Sequence, residues 1–254
     1  MDFVVTDAER EVADLLPIDA DPATARATVA AVPFWFHTFA LNRKAGIYTP
    51  GQARDHRYRI PALPADFWGM HVLDVGTFDG FYAFLAEHRG AARVLAVDNE
   101  QYKYWVRSRW GIELEGGKGL RAIHRLLDSG VEYRRMDAFE LDGLRETFDL
   151  IFCFGILHRV ENPLGLLRVL RARAAPAGSV LVETYGIRAG DRNGPAIRVS
   201  APGEVYAGDE FVYWGFGDSG LERLAQIAGF ASVEQLGCAE VDGHPRLIGR
   251  LMVS

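Results

Sequence analysis

His71-Val72-Leu73-Asp74-Val75-Gly76-Thr77-Phe78-Asp79-Gly80-Phe81-Tyr82 is an apolar run with an acid near its end, a turn bounded by glycines, and an aromatic amphipathic segment. The pattern predicts a buried parallel strand, a tight turn and a helix whose first backbone N–H groups face the space over the strand's end. Gly76 lets the chain turn without a Cβ clash, and Gly80 permits close approach at the helix start. Asp74 lies near the strand's carboxyl end, where open α/β sheets bind ligands. A glycine turn alone is as often an ordinary strand-to-helix connection. The continuation weighs against that: Arg93-Val94-Leu95-Ala96-Val97-Asp98 is a second buried strand ending in an acid. Asp98 follows Gly80 by 18 residues, about where a nucleotide-binding βαβ unit sets its ribose carboxylate.

Working outward, strands are expected at 71–76, 93–98, 131–136, 148–154 and 179–185, and helices at 80–89, 100–110, 119–129 and 162–174. Such alternation argues for a doubly wound α/β fold with a parallel sheet covered on both faces. The last part differs. A helix over 221–228 ends at Gly229, and strand-like runs at 231–236 and 246–253 flank Asp242-Gly243, predicting an antiparallel hairpin at the sheet's edge. Residues 1–30 read as two short helices, one capped by Thr6 with Glu9 three residues on, the other opened by Asp21-Pro22. The aromatic run Phe34-Trp35-Phe36-His37-Thr38-Phe39 and the turn at Pro50-Gly51 read as a strap packed on something, because so much apolar ring surface is costly to leave wet. The expected organisation is an N-terminal lid and strap over 1–60 and an α/β domain over 61–254, with an insertion at 186–216.

Composition narrows the function. The net charge of −6 gives the surface as a whole no pull on polyanions. Cys153 and Cys238 are the only cysteines, too few for a disulfide framework or a four-thiolate zinc site, and Cys153 falls in a strand pattern as a core thiol. His56, His71, His88, His124 and His244 show no ligand spacing, so no metal is expected. No apolar run is long enough to span a membrane, and the acidic N-terminus is unlike a signal peptide; a cytoplasmic location is the expectation.

Seven strands in this order, with the glycine turn after the first, resemble the class I S-adenosylmethionine-dependent methyltransferases over 61–254. The resemblance implies a Rossmann-like, seven-stranded, mostly parallel sheet and S-adenosylmethionine as cofactor. It also implies cofactor contacts from Asp74, Gly76, Thr77, Phe78 and Gly80 around the methionine moiety and from Asp98 and Asn99 at the ribose. Asp137 and Ala138 would meet the adenine, and Phe154 and Gly155 would border the methyl group. Phe78 stands where the common Gly-x-Gly-x-Gly form has its middle glycine. A dinucleotide needs that glycine for its pyrophosphate, whereas adenosylmethionine has no phosphate, so the departure counts against NAD. Trp35-Phe36-His37-Thr38, Thr49-Pro50-Gly51 and Gly155-Ile156-Leu157-His158-Arg159-Val160-Glu161-Asn162-Pro163-Leu164 are similar to the branch that includes the wobble-uridine tRNA methyltransferases. That likeness implies that Trp35 and His37 line the cofactor pocket. It also puts His158, followed here by Arg159, where that branch often carries a paired Tyr or His and His.

Methyl transfer from a sulfonium is an in-line displacement, so alignment supplies much of the rate and a base is needed only for a protonated nucleophile. His37 and His158 are the candidate bases; each is equally readable as a loop-holding histidine. Tyr185, Tyr206, Tyr213 and Trp214 are expected to face the acceptor, the last three from the insertion, whose alternative roles are a structural flap or a homodimer contact. Three functions are weighed. The first is methylation of an O, N or C atom of a small molecule, as in specialised metabolism. The second is tRNA wobble-uridine methylation or carboxymethylation, suggested by the branch and by Arg43, Lys44, Arg54, Arg57 and Arg59. The third is an idle adenosyl-binding scaffold, against which the acids at 74, 98 and 137 argue.

Overall fold

Thr6 and Glu9 close a capping box at the chain's first helix, α1 (Asp7–Ala13): the Glu9 carboxylate accepts the Thr6 N–H at 2.6 Å, and Thr6 Oγ1 accepts the Glu9 N–H at 3.3 Å. Asp21 caps α2 (Pro22–Ala31) through the amides of Ala23 and Thr24, both at 3.0 Å, with proline in the first turn. The strap that follows contains a small hairpin, β1 (Ala40–Asn42) against β2 (Ile47–Tyr48), where the sequence predicts no strands. Its turn is closed by Asn42 Oδ1, which accepts the Ala45 N–H at 2.7 Å, and by Gly46 at φ 66°. The computed structural model describes residues 4–53, 55–187, 195–201, 204, 206, 209–241 and 243–254. Arg54 of the basic run, Asp242 of the expected turn and 188–194 of the insertion lie outside them.

The expected alternation is present. It runs β3 (His71–Val75), α3 (Phe81–His88), β4 (Arg93–Asp98), α4 (Tyr102–Trp110), α5 (Lys118–Leu127), β5 (Glu132–Arg135), β6 (Phe148–Phe154), α6 (Pro163–Arg173) and β7 (Ala174–Tyr185). Then come β8 (Ile197–Val199), β9 (Trp214–Phe216), α7 (Asp218–Ala228), β10 (Ser232–Val241) and β11 (His244–Met252). One seven-stranded sheet has the order β10-β11-β7-β6-β3-β4-β5. β3 with β6, β6 with β7, and β4 with β5 are parallel; β11 is antiparallel to both β7 and β10. This is the sheet that the resemblance implies, with its terminal hairpin. Its central strands are apolar without alternation, as burial on both faces demands: Ile151, Phe152 and Cys153 of β6 are fully buried. β7 begins five residues earlier than expected and β10 ends five residues later. The insertion is not loop throughout, since β8 and β9 pair antiparallel.

Two compact units make up the chain: Met1–Gly69 with Thr77–Arg135, and Met70–Gly76 with Met136–Ser254. Each is described by itself below.

Candidate cofactor and acceptor residues

In the first unit the turn before α3 is left-handed at two points, Phe78 at φ 54° and Gly80 at φ 87°. Gly80 has no room for a side chain, because a Cβ there would lie 2.5 Å from the Phe84 ring. Phe78 is a different matter: a non-glycine residue in this region costs on the order of 1–3 kcal/mol and persists only where its surroundings hold it. Three groups do so. Its N–H donates to Asp98 Oδ2 at 3.0 Å, and its ring lies between Tyr102, with centroids 3.8 Å apart, and Phe36, at 4.7 Å.

Asp98 also accepts the Glu100 N–H on Oδ1 at 2.6 Å. Burial pushes its carboxyl up to about 6; the amides of Phe78 and Glu100 pull the other way, and the neighbouring charge of Glu100 adds to the rise. Glu100 is itself buried, at φ 62°, and takes the Tyr133 hydroxyl at 3.0 Å and Lys103 Nζ at 3.2 Å. Tyr102 uses its hydroxyl to accept the Gly117 N–H at 2.7 Å. Asn99 is exposed and caps the next turn through the Gln101 amide at 3.0 Å. Thr77 is buried, with its N–H on Val97 O at 3.2 Å.

The strap meets this turn through Asp79, to which the sequence assigns no role. Asp79 Oδ2 accepts the N–H groups of Phe36 at 2.9 Å and His37 at 2.8 Å, and Oδ1 faces His37 Nδ1. The one signal for it was an acid inside a glycine turn that meets no phosphate. In a neutral ring this puts the hydrogen of His37 on Nδ1 and the lone pair on Nε2. That nitrogen is buried, with no partner among the described residues, and the ring is enclosed by Phe36, Phe81, His56 and Tyr82. His56 binds the Tyr82 hydroxyl at 2.6 Å; burial, then the nearby His37 and Arg59, hold it well below the ordinary imidazole range. Trp35 is buried and donates from Nε1 to Val29 O at 3.3 Å.

In the second unit, Asp74 is buried near the end of β3, and Gly76 has φ 75° with a would-be Cβ only 2.2 Å from Ile156 Cδ1. Asp137 caps the turn that Ala138 opens, accepting the Phe139 N–H at 2.9 Å. Phe154 stacks on Phe152 at 5.3 Å, and Gly155 follows at φ 74°. A Cβ on Gly155 would meet nothing among the described residues nearer than Glu183 Oε2 at 4.0 Å, so this glycine opens space where Gly76 is closed in. Burial pushes the Cys153 thiol up to about 12, with the charges of Glu183 and Asp74 adding to it, as suits an inert core thiol.

His158 is fully buried and has the opposite polarity to His37. Its Nδ1 lies 3.2 Å from Thr184 Oγ1 and accepts the Tyr185 N–H at 3.4 Å, which leaves the hydrogen of a neutral ring on Nε2. The insertion is bolted over it. Tyr213 N–H donates to His158 O at 2.9 Å, Trp214 Nε1–H to Val160 O at 2.7 Å, and Arg159 pairs with Asp209 at 2.6 Å while its Nε donates to Gly155 O at 3.1 Å. Arg159, whose departure from the histidine pair was noted in the sequence, thus joins the end of β6 to the insertion. Tyr185, Tyr206 and His244 pack ring to ring at 5.0–6.3 Å. Arg246 lies 3.9 Å from the centroid of Tyr185 and forms a two-pronged, buried ion pair with Glu183.

A methyltransferase domain family matches residues 48–235, about three quarters of the chain. The chain belongs to that family. Its methyl donor is S-adenosylmethionine. A tRNA U34 carboxymethyltransferase of Chromohalobacter salexigens is 30% identical over 165 residues, covering 65% of this chain and 45% of that protein. The chain spans about half the length of the curated relatives it matches. Among solved structures, the N-terminal domain of EvdMO1, determined in the presence of S-adenosylhomocysteine and D-fucose, has a TM-score of 0.66 at 16% identity, with 93% of this chain and 99% of that one covered. Magnesium protoporphyrin IX methyltransferase of Synechocystis PCC 6803 has a TM-score of 0.52 at 14% identity, with 78% and 79% covered. Both likenesses concern the fold.

The residues of this methyltransferase suit that cofactor. Asp98 is a poorly solvated carboxylate whose raised pKa marks a shortage of donors, and a ribose diol would supply two. Phe78 stands where a dinucleotide turn needs a glycine for its pyrophosphate, a demand that a sulfonium does not make.

Proposed function

We propose that this methyltransferase acts on a small-molecule acceptor rather than on tRNA, with Asp98 and the 76–80 turn holding the cofactor and Tyr185, Tyr206, Tyr213 and Trp214 facing the acceptor. The observation that carries this reading is the state of the basic run over 41–60. Arg43 is paired with Asp19 at 3.2 Å, and Arg57 with Asp55 at 2.8 Å and Glu11 at 3.3 Å. Arg59 is buried beside the Tyr82 ring. Charges paired with neighbouring carboxylates release fewer counterions on meeting phosphates, which lowers the drive for nucleic-acid binding. The cofactor supplies a methyl group on a sulfonium sulfur; the chain's part is to align the acceptor and exclude water.

The second reading, action on wobble uridine, is favoured by the names of the curated relatives. Filter binding of bulk tRNA at two salt concentrations separates the two. The expected result is weak retention with little change between salts; tight binding that collapses at the higher salt would reverse the ranking. D-fucose, present with the EvdMO1 domain, is a reasonable first probe among hydroxylated small molecules.

The same reading gives His158 a positioning part. A base needs a lone pair toward the acceptor, and the Tyr185 amide leaves a hydrogen on Nε2 instead. His158→Gln is therefore expected to keep kcat within about tenfold of the parent enzyme with an unchanged pH profile. A drop of about 10²–10⁴ together with loss of an acid limb would make His158 the base.

A further inference from the structure

Phe78 sits in a backbone conformation that its side chain disfavours, and the strap is what lies against it. Phe36 stacks on one face of the Phe78 ring at 4.7 Å and 19°, and its own N–H and that of His37 donate to Asp79, the residue after Phe78. Asp79 is only 2% exposed and gathers three donors from the strap: the Phe36 and His37 amides and His37 Nδ1. The strap is itself stiff. Thr49 Oγ1 accepts the Phe39 N–H at 2.8 Å and donates to His37 O at 2.9 Å, and the Ala53 N–H donates to Phe36 O at 2.7 Å. Gly51 is seated so closely that a Cβ would lie 2.4 Å from Thr38 N. A rigid segment bonded to residue 79 and stacked on residue 78 restrains the turn in addition to Tyr102 and Asp98.

We infer that Asp79 and Phe36 are positioning residues that clamp Phe78 in its left-handed turn, so that docking of the strap sets cofactor affinity. The inference rests on the reading that the 76–80 turn holds the cofactor. It also gives His37 its part: the imidazole is the third donor to Asp79, held among rings, and acts through that carboxylate. Where the common methyltransferase turn has a glycine that takes this conformation unaided, this chain has phenylalanine and an external clamp.

A double-mutant cycle read by calorimetric titration with S-adenosylhomocysteine tests it. Asp79→Asn keeps one oxygen for backbone amides but loses the acceptor for His37, and is expected to weaken binding about tenfold. Phe78→Gly adopts a positive φ without help, so in that background Asp79→Asn is expected to change affinity by less than about threefold. An equal loss in both backgrounds would show that Asp79 acts on the cofactor electrostatically or on the fold in general, and would overturn the clamp. Unchanged affinity in Asp79→Asn would overturn it while leaving the cofactor reading intact; failure of the parent protein to bind at all would end both. Should Asp79→Asn not fold, Phe36→Leu removes the stacked ring and runs the same cycle. Amide hydrogen exchange at Phe78 gives a second readout: faster exchange in Asp79→Asn at unchanged global stability supports the clamp, and unchanged exchange opposes it.

Discussion

Asp98→Ala is expected to weaken S-adenosylmethionine binding by about tenfold to a hundredfold, because a charge-assisted hydrogen bond contributes roughly 1.5–3 kcal/mol. Two losses combine. The ribose hydroxyls lose their acceptor, and the Phe78 and Glu100 amides lose theirs, which loosens the turn from within. The carboxyl's raised pKa adds a signature that no other residue of the turn provides. In the free protein Asp98 titrates at about 6, and hydroxyl donors favour its ionised form. Affinity should therefore be full above about pH 6 and fall, by at most tenfold per unit, as pH drops through that value. Calorimetry at pH 5 and pH 8 on parent and variant measures both effects. Unchanged affinity in Asp98→Ala, or a pH dependence that survives the substitution, would remove Asp98 from the ribose site.

The second large effect concerns stability. Glu183 is fully buried and Arg246 is 8% exposed, and the Nε–Nη2 edge of the guanidinium meets both carboxylate oxygens beneath the Tyr185 ring. Glu183→Gln keeps the shape but leaves a buried guanidinium without its counter-charge, a change that costs about 3–5 kcal/mol where it has been measured for such pairs. Urea denaturation should show that loss, whereas the paired replacement Glu183→Met with Arg246→Met should cost far less, since both desolvation penalties vanish together. A loss under about 1 kcal/mol in Glu183→Gln would mean that water reaches the pair. The location makes the result bear on function: the Gly155 N–H donates to Glu183 O at 3.0 Å, so the pair supports the strand end proposed to border the methyl group.

Much of the architecture was legible because it is written in local periodicity. The apolar run over 71–75, the glycines at 76 and 80 and the change to helical spacing at 81 predict strand, turn and helix from neighbours alone, and the Thr6–Glu9 box and the Asp21-Pro22 start are equally local. The terminal hairpin followed from two strand-like runs joined by a short turn. By contrast, the partners of Asp79 lie 42 and 43 residues back in the chain, and nothing in the spacing of either segment encodes that meeting. The basic run shows only Asp55 as a counter-charge in its own sequence, because Asp19 and Glu11, which also pair with Arg43 and Arg57, come from outside it. His37 and His158 looked alike as candidate bases. Only their neighbours, a carboxylate at one Nδ1 and a backbone N–H at the other, give them opposite hydrogens. Elements form from interactions within a few residues, which a sequence displays. Charge state, tautomer and the strain held at Phe78 depend on which distant groups a folded chain brings within about 3 Å, and tertiary packing alone decides that.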